Sequence, residues 1–240
     1  MLRAVLLMIC AMTLIPSGDA AAKLLTGGQG VAPIWAAWSR FLIGTLIILP
    51  FTPKDAWRHL LDWRIILRAL CITGGIFCIL NALQREPMAN VFGAFFFGPI
   101  LAYVLSWWLL KETVRTGRTV LLLIGFLGVL LVVRPGFGMT TGLLWAVAAG
   151  TFYGCFLTTS RWIADCAPAR VLLFSQLIIP TIVTTPLALF AWPDLTMPVV
   201  GLATASAVGS MSGNLLLIFA LRLQPGTKMA PFVYFQLVAA

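Results

Sequence analysis

Apolar residues run in long stretches along this chain, and polar residues gather between them. Stretches near Leu2–Ser17, Val31–Pro50, Ile65–Leu83, Met88–Leu110, Thr119–Val133, Thr141–Trp162, Val171–Ala191, Val199–Leu221 and Lys228–Ala240 approach the roughly 20 residues a helix needs to cross a bilayer. Strands do not explain the pattern, because a membrane barrel alternates polar and apolar positions and this chain does not. The pattern predicts an all-α membrane protein of about nine helical segments, with no room for a soluble domain of any size. Met1-Leu2-Arg3, the apolar run and Asp19-Ala20-Ala21-Ala22 together have the form of a signal peptide. So many spans follow, however, that a first membrane helix is the simpler reading. Pro16 inside it predicts a kink or a break.

The spans are not all independent. Asn81–Ala102 returns, thinly, as Phe219–Ala240 at a shift of 138 positions, with Ala82/Ala220, Leu83/Leu221, Pro87/Pro225, Phe97/Phe235 and Ala102/Ala240 identical. Each copy has a polar turn closed by proline and then an apolar run. Five spans separate the copies, and an odd number flips the second copy in the bilayer. That is the mark of an inverted-repeat secondary transporter with its site near the midplane. It predicts two five-helix units, 1–136 and 137–240, the second truncated. Small residues recur every four positions at Gly142, Ala146, Gly150 and Gly154, and again at Ala205, Gly209 and Gly213. Such ladders let helix backbones approach closely.

Composition adds weight without changing this picture. The chain is 61% hydrophobic and 10% charged, with mean hydropathy +1.02, against roughly 25% charged residues in a soluble domain. The net charge of +9 would suggest nucleic acid if it were not so placed. With the N-terminus in the cytoplasm, twelve basic residues fall on the inner side, Arg58, Arg64, Arg68, Arg115 and Lys228 among them. Three (Lys23, Arg85, Arg134) fall on the outer side, and Arg40 lies within a span. Cytoplasmic loops collect Lys and Arg during insertion, so the charge reports a multi-pass protein of the inner, cytoplasmic membrane. It gives no reason to expect nucleic acid as a partner. Lipid and a small-molecule substrate are the partners expected, and a homodimer is compatible with the same pattern.

Catalytic chemistry is hard to find. Cys10, Cys71, Cys78, Cys155 and Cys166 lack metal-ligand spacing and read as small buried hydrophobes. His59 sits in a charged loop beside Arg58 and Asp62. No Ser/His/Asp set, intramembrane carboxylate pair or phosphate-cradling glycine loop is present. Neither catalytic residues, metal nor cofactor are therefore expected.

Gly98-Pro99-Ile100 through Leu110-Lys111-Glu112, followed by Leu131-Val132-Val133-Arg134-Pro135-Gly136, resembles the first half of an EamA-type transporter of the drug/metabolite transporter superfamily. The similarity extends over essentially the whole chain. Asp19 and Lys23 in the first span and Arg40 in the second match as well, and Arg161 falls opposite Lys23 at the same shift. The resemblance implies two inverted five-helix repeats around a central cavity, moving a small metabolite by alternating access without an ATPase domain. Riboflavin, S-adenosylmethionine and amino acids all occur among the substrates of such proteins, and nothing in the sequence selects one. Because the chain stops at Ala240, inside what should be the ninth helix, the resemblance also implies a fragment or shortened gene product. A non-transporting remnant is thus the first rival to a transporter, and a membrane-embedded enzyme the second.

Polar residues within spans are the candidate substrate-binding positions, since charge at membrane depth faces a cavity or a partner. Arg40 is the sharpest. It either binds an anionic substrate group or locks onto Asp19 or a carbonyl. Asn81, Gln84, Asn90, Gln176 and Asn214 either hydrogen-bond a substrate or join helices. Phe96, Tyr103 and Tyr234 are aromatic candidates for a cavity wall, with Phe95 and Phe97 beside them. Asp19 and Lys23, one helical turn apart, form a candidate ion pair or coupling site near the outer end.

Overall fold

The computed structural model describes residues 2–53, 56–113, 116–133, 140–233 and 235. Eleven α-helices follow one another: α1 Leu2–Lys23, α2 Pro33–Ile48, α3 Ala56–His59, α4 Trp63–Arg85, α5 Met88–Phe95, α6 Phe97–Leu110, α7 Thr116–Val133, α8 Thr141–Trp162, α9 Ala169–Leu189, α10 Met197–Leu223 and α11 Gly226–Val233. Setting the single turn α3 aside and counting α5–α6 as one broken span leaves nine helical segments among the described residues. Seven described spans are long and apolar enough to cross a membrane. This is an all-helical, multi-pass membrane protein. The Arg134-Pro135-Gly136 turn, Tyr234 and 236–240 lie outside the described residues.

Local signals set many of the boundaries. Asp62 caps α4 by accepting from the Arg64 amide at 2.9 Å, and Thr140 caps α8 by accepting from the Leu143 amide at 3.2 Å, each relieving an orphan donor. Pro33 opens α2 in the first turn, where its missing N–H costs nothing. The break expected at Pro16 does not occur. α1 runs through it and on to Lys23, then ends in a π-turn over Leu24–Gly28, because neighbouring helices make up for a lost bond inside a bundle. The break lies instead in the span expected to run unbroken from Met88 to Leu110. There α5 stops at Phe95 and α6 starts at Phe97. Pro99 has no N–H to offer the Phe95 carbonyl four residues back, so the ladder is interrupted at that turn.

Two seams dominate the packing, α1 against α10 and α4 against α8. α2 packs on α9 and α10, and α4 on α9 as well. Exchanging α1 with α8, α2 with α9 and α4 with α10 turns the first seam into the second and the α2–α10 contact into the α9–α4 contact. The α2–α9 contact maps onto itself. Both small-residue ladders sit where backbones nearly touch. A Cβ added at Gly150 would lie 2.5 Å from the Phe95 carbonyl oxygen, and one at Gly154 would lie 2.7 Å from that of Gly98. Those contacts set α8 against α5 and α6, and on the α1–α10 seam a Cβ at Gly18 would meet the Ser206 carbonyl oxygen at 2.9 Å.

Candidate functional site

The close approach of α10 to α1 has a chemical result. It brings the Ser206 hydroxyl, Asp19 and the Gly18 carbonyl around one guanidinium from α2. Arg40 donates from Nε to Ser206 Oγ at 2.9 Å, from one terminal nitrogen to Asp19 Oδ1 at 2.8 Å and from the other to the Gly18 carbonyl at 3.1 Å. Arg40 and Asp19 are each only 2% exposed. Three helices are therefore tied through one buried ion pair. The two readings of Arg40 do not exclude each other, because this latch borders empty space.

That space lies at the centre of the bundle in two adjoining chambers. One, of about 20 Å³, is lined by Ile15 and Asp19 of α1, Ile72, Gly75, Ile76 and Ile79 of α4, Phe95 at the α5 break, Tyr153 of α8 and Asn214 of α10. The other, of about 10 Å³, is lined by Arg40, Phe41, Gln176, Leu177, Ala207, Ser210 and Met211, and shares Ile72, Ile76 and Asn214 with the first; each has room for about one water. The Tyr153 hydroxyl and Asn214 Oδ1 are buried with no hydrogen-bond partner. A buried polar atom left unpaired costs about 1–3 kcal/mol. Two of them on one wall mark a place where a ligand or water completes the bonding.

A second buried arginine stands behind the second chamber. Arg68, fully buried, donates to Ser160 Oγ at 2.7 Å and to the Leu172 carbonyl at 2.9 Å, and also to Gln176 Oε1. Its guanidinium carbon lies 4.8 Å from the centre of the Phe156 ring. No acid within ion-pair distance is found for it among the described residues. Arg68 and Ser206 are related by the 138-residue shift; Arg40 joins α2 to α1 and α10, and Arg68 joins α4 to α8 and α9.

The remaining candidates are scattered. Asp19 pairs with Arg40, not with Lys23, and Lys23 Nζ donates to the Glu86 carbonyl at 2.9 Å. Asn81 donates to the Phe77 carbonyl at 2.8 Å and receives Arg85 at 3.1 Å, which makes it a helix-end residue of α4. Gln84 is exposed on an open pocket of about 330 Å³ with Lys23, Arg85 and Glu86. Asn90 is half-buried near the start of α5, and Phe96 is buried at the break without lining either chamber. Tyr103 shares a hydrogen bond of 2.8 Å with Thr119 between α6 and α7, away from the cavity. Phe97 is 40% exposed on the bundle's outer surface. Arg161, the counterpart of Lys23, pairs with Glu112 at 3.1 Å and also donates to the Leu221 carbonyl at 3.3 Å. Each of these two cations thus binds a carbonyl at the end of the helix two spans on, at opposite ends of the bundle.

Two cavity-region residues escaped the reading from sequence. Tyr153 interrupts the Gly150–Gly154 ladder, and a lone hydroxylated ring on a small-residue face was its signal. Arg68 was counted only among the basic residues of the inner side, although it falls within the span read as Ile65–Leu83. It lies five residues after Trp63, at which α4 has already begun.

The EamA-like transporter family profile matches residues 2–134. Two curated relatives carry the name S-adenosylmethionine uptake transporter. The one from Rickettsia prowazekii (strain Madrid E) is 24% identical over 209 residues, spanning 84% of this chain and 70% of that protein. The one from Rickettsia conorii (strain ATCC VR-613 / Malish 7) is 26% identical over the same extents. A solved crystal structure shares the fold with a TM-score of 0.76 at 20% identity, covering 98% of this chain and 85% of the other.

Proposed function

The chain belongs to the EamA-like transporter family, and we propose that it is a secondary transporter carrying a small metabolite through the central cavity by alternating access, with S-adenosylmethionine, the substrate in its relatives' names, as the first candidate. The observation that carries this reading is the pair of unsatisfied polar atoms, Tyr153 hydroxyl and Asn214 Oδ1, on the wall of a cavity between helices of both halves. Residues 1–136 and 137–240 form the two units that rock. Exchange symmetry of the helix contacts and the matched Lys23 and Arg161 caps support that division. The N-terminus faces the cytoplasm and the membrane is the inner one, as the skewed distribution of basic residues favours. Reconstitution into liposomes and uptake of labelled S-adenosylmethionine tests the proposal. Uptake above empty liposomes, reduced at least tenfold by Asn214→Leu, supports it. Uptake no greater than through empty liposomes refutes S-adenosylmethionine as the substrate.

A further inference from the structure

We propose that the lipid-facing furrow between α4 and α8 is a binding site for one anionic phospholipid, its phosphate on Arg64 and an acyl chain laid along the seam toward Phe152. The site lies on the outside of the bundle and is independent of the central cavity.

A positioned cation carries the inference. Arg64 is the second residue of α4 and Trp162 the last of α8, and the two meet at one end of the seam. The Trp63 and Trp162 rings lie edge to face with centres 5.6 Å apart. The Arg64 guanidinium carbon stands 5.4 Å from the Trp162 ring centre and 5.9 Å from that of Trp63, within the roughly 6 Å reach of a cation–π contact. All three residues are exposed. The rings orient the guanidinium without using its N–H groups, and its side chain has no hydrogen bond or ion pair with a described residue. Arg40 and Arg68, by contrast, each spend their donors on three protein oxygens. The acids nearby are engaged: Asp62 caps α4 through the Arg64 amide, and Glu112 pairs with Arg161. Arg58 of α3 and Arg170 in the first turn of α9 add exposed positive charge at the same end. A planar fork of free donors beside uncompensated positive charge suits a phosphate, which it can hold in bidentate fashion.

The seam supplies the apolar half of the site. On α4, Trp63, Leu67, Leu70 and Gly74 recur at helical spacing and share a face, with Leu67 and Leu70 exposed. On α8, Phe152, Cys155, Thr159 and Trp162 do the same, and Cys155 and Thr159 are half-buried. Phe152 lies over Gly74, where an added Cβ would come within 2.9 Å of its ring. Between that contact and the Trp63–Trp162 pair, α8 presents only small side chains on this face. The rise from Trp63 to Gly74 is about 16 Å at roughly 1.5 Å per residue, close to half of a hydrocarbon core of roughly 30 Å. Beyond Gly74 the seam is filled again by Phe77 against Trp145, with ring centres 5.7 Å apart. The furrow is therefore one leaflet deep, which matches a lipid chain under its headgroup rather than a helix of a second copy.

The test is native mass spectrometry of the purified 240-residue protein in mild detergent. It is titrated with dioleoylphosphatidylglycerol, dioleoylphosphatidylcholine, short-chain dihexanoylphosphatidylglycerol or glycerol 3-phosphate. One dioleoylphosphatidylglycerol is expected to bind about tenfold or more tighter than the choline lipid, the worth of one charge-assisted hydrogen bond. The short-chain lipid should bind more weakly than the dioleoyl form, and glycerol 3-phosphate should not displace it. Arg64→Gln is expected to lower the affinity for dioleoylphosphatidylglycerol about tenfold or more, and Arg64→Lys, which keeps the charge but not the fork, by an intermediate factor. Arg58→Gln removes an equal charge from the same end and should cost less than about threefold. Both residues are exposed, so thermal unfolding without lipid should be unchanged in all three variants. Equal affinity for the two dioleoyl lipids overturns the inference. So do equal losses in Arg64→Gln and Arg58→Gln, which reduce the effect to net charge, and displacement by glycerol 3-phosphate, which makes the ligand a free phosphate ester. A dimer that saturating dioleoylphosphatidylglycerol leaves intact and Trp162→Ala breaks assigns the face to a second copy and overturns it as well.

Discussion

Replacing Arg40 by leucine separates a buried latch from a surface decoration. The guanidinium is 2% exposed and bonds Asp19, Ser206 and the Gly18 carbonyl. Its loss leaves the Asp19 carboxylate in the interior without a cation. Breaking one side of a buried ion pair costs about 3–5 kcal/mol, and about 1.4 kcal/mol is a factor of ten. The folded-to-unfolded ratio should therefore fall by roughly two to three and a half orders of magnitude. Asp19→Leu should cost a similar amount, because it strands the arginine instead. Removing both charges, as Arg40→Leu with Asp19→Leu, should restore most of the loss, since two well-packed apolar side chains replace a buried pair at little net cost. Equilibrium unfolding in mixed micelles, followed by tryptophan fluorescence, gives the cycle, and a coupling of about 3 kcal/mol or more is expected. The reasoning fails if each single variant costs less than about 1 kcal/mol, or if the two losses simply add in the double variant.

Three other outcomes follow from the packing and the topology. Gly150→Ala places a methyl 2.5 Å from the Phe95 carbonyl oxygen and should cost about 1–3 kcal/mol. Gly201→Ala, with nothing within 4 Å of the new methyl, should be neutral or stabilise α10 by up to about 1 kcal/mol. The same unfolding titration compares the two, and equal effects would refute the backbone-contact account. Arg68→Lys should destabilise by about 1–3 kcal/mol despite keeping the charge, because an ammonium cannot span Ser160, Leu172 and Gln176 as a planar fork does; unchanged stability would show that those bonds are dispensable. In a cysteine-free background, a cysteine at Asp194 should react with an impermeant reagent added outside intact cells and one at Arg58 should not, and the reverse would invert the proposed topology.

Helices were legible wherever periodicity alone decides. The span read as Thr141–Trp162 is α8 residue for residue, because Thr140 caps its start and an apolar run fills the rest. Partnerships were less legible. Arg40 and Ser206 are 166 residues apart, and no local pattern announces that pairing. Asp19 was read in two ways, with Lys23 one helical turn away and as the lock for Arg40; a buried acid takes the partner whose burial it shares, and that is Arg40. The break at Phe96 was missed because Phe95, Phe96 and Phe97 continue an apolar run, while the cause, Pro99, acts four residues upstream of itself. The cavity was visible only as an expectation, since Tyr153 and Asn214 declare themselves by lacking partners, which is a property of the assembled bundle.

The spacing of the latch partners along the chain also sets an order of events during synthesis. Asp19 and Arg40 are 21 residues apart, so the acid and its cation reach the membrane within one helical hairpin, and each can neutralise the other on entry. Ser206 arrives 166 residues after Arg40, a delay of roughly 8–30 s at ribosomal rates of about 5–20 residues per second. Throughout that interval α1 and α2 hold their charges together without the third helix, and the Gly18 face of α1 stays uncovered until α10 emerges. The ion pair is thus a device of biogenesis before it is a device of the mature fold, and variants that break it should be caught by membrane quality control while the chain is still growing.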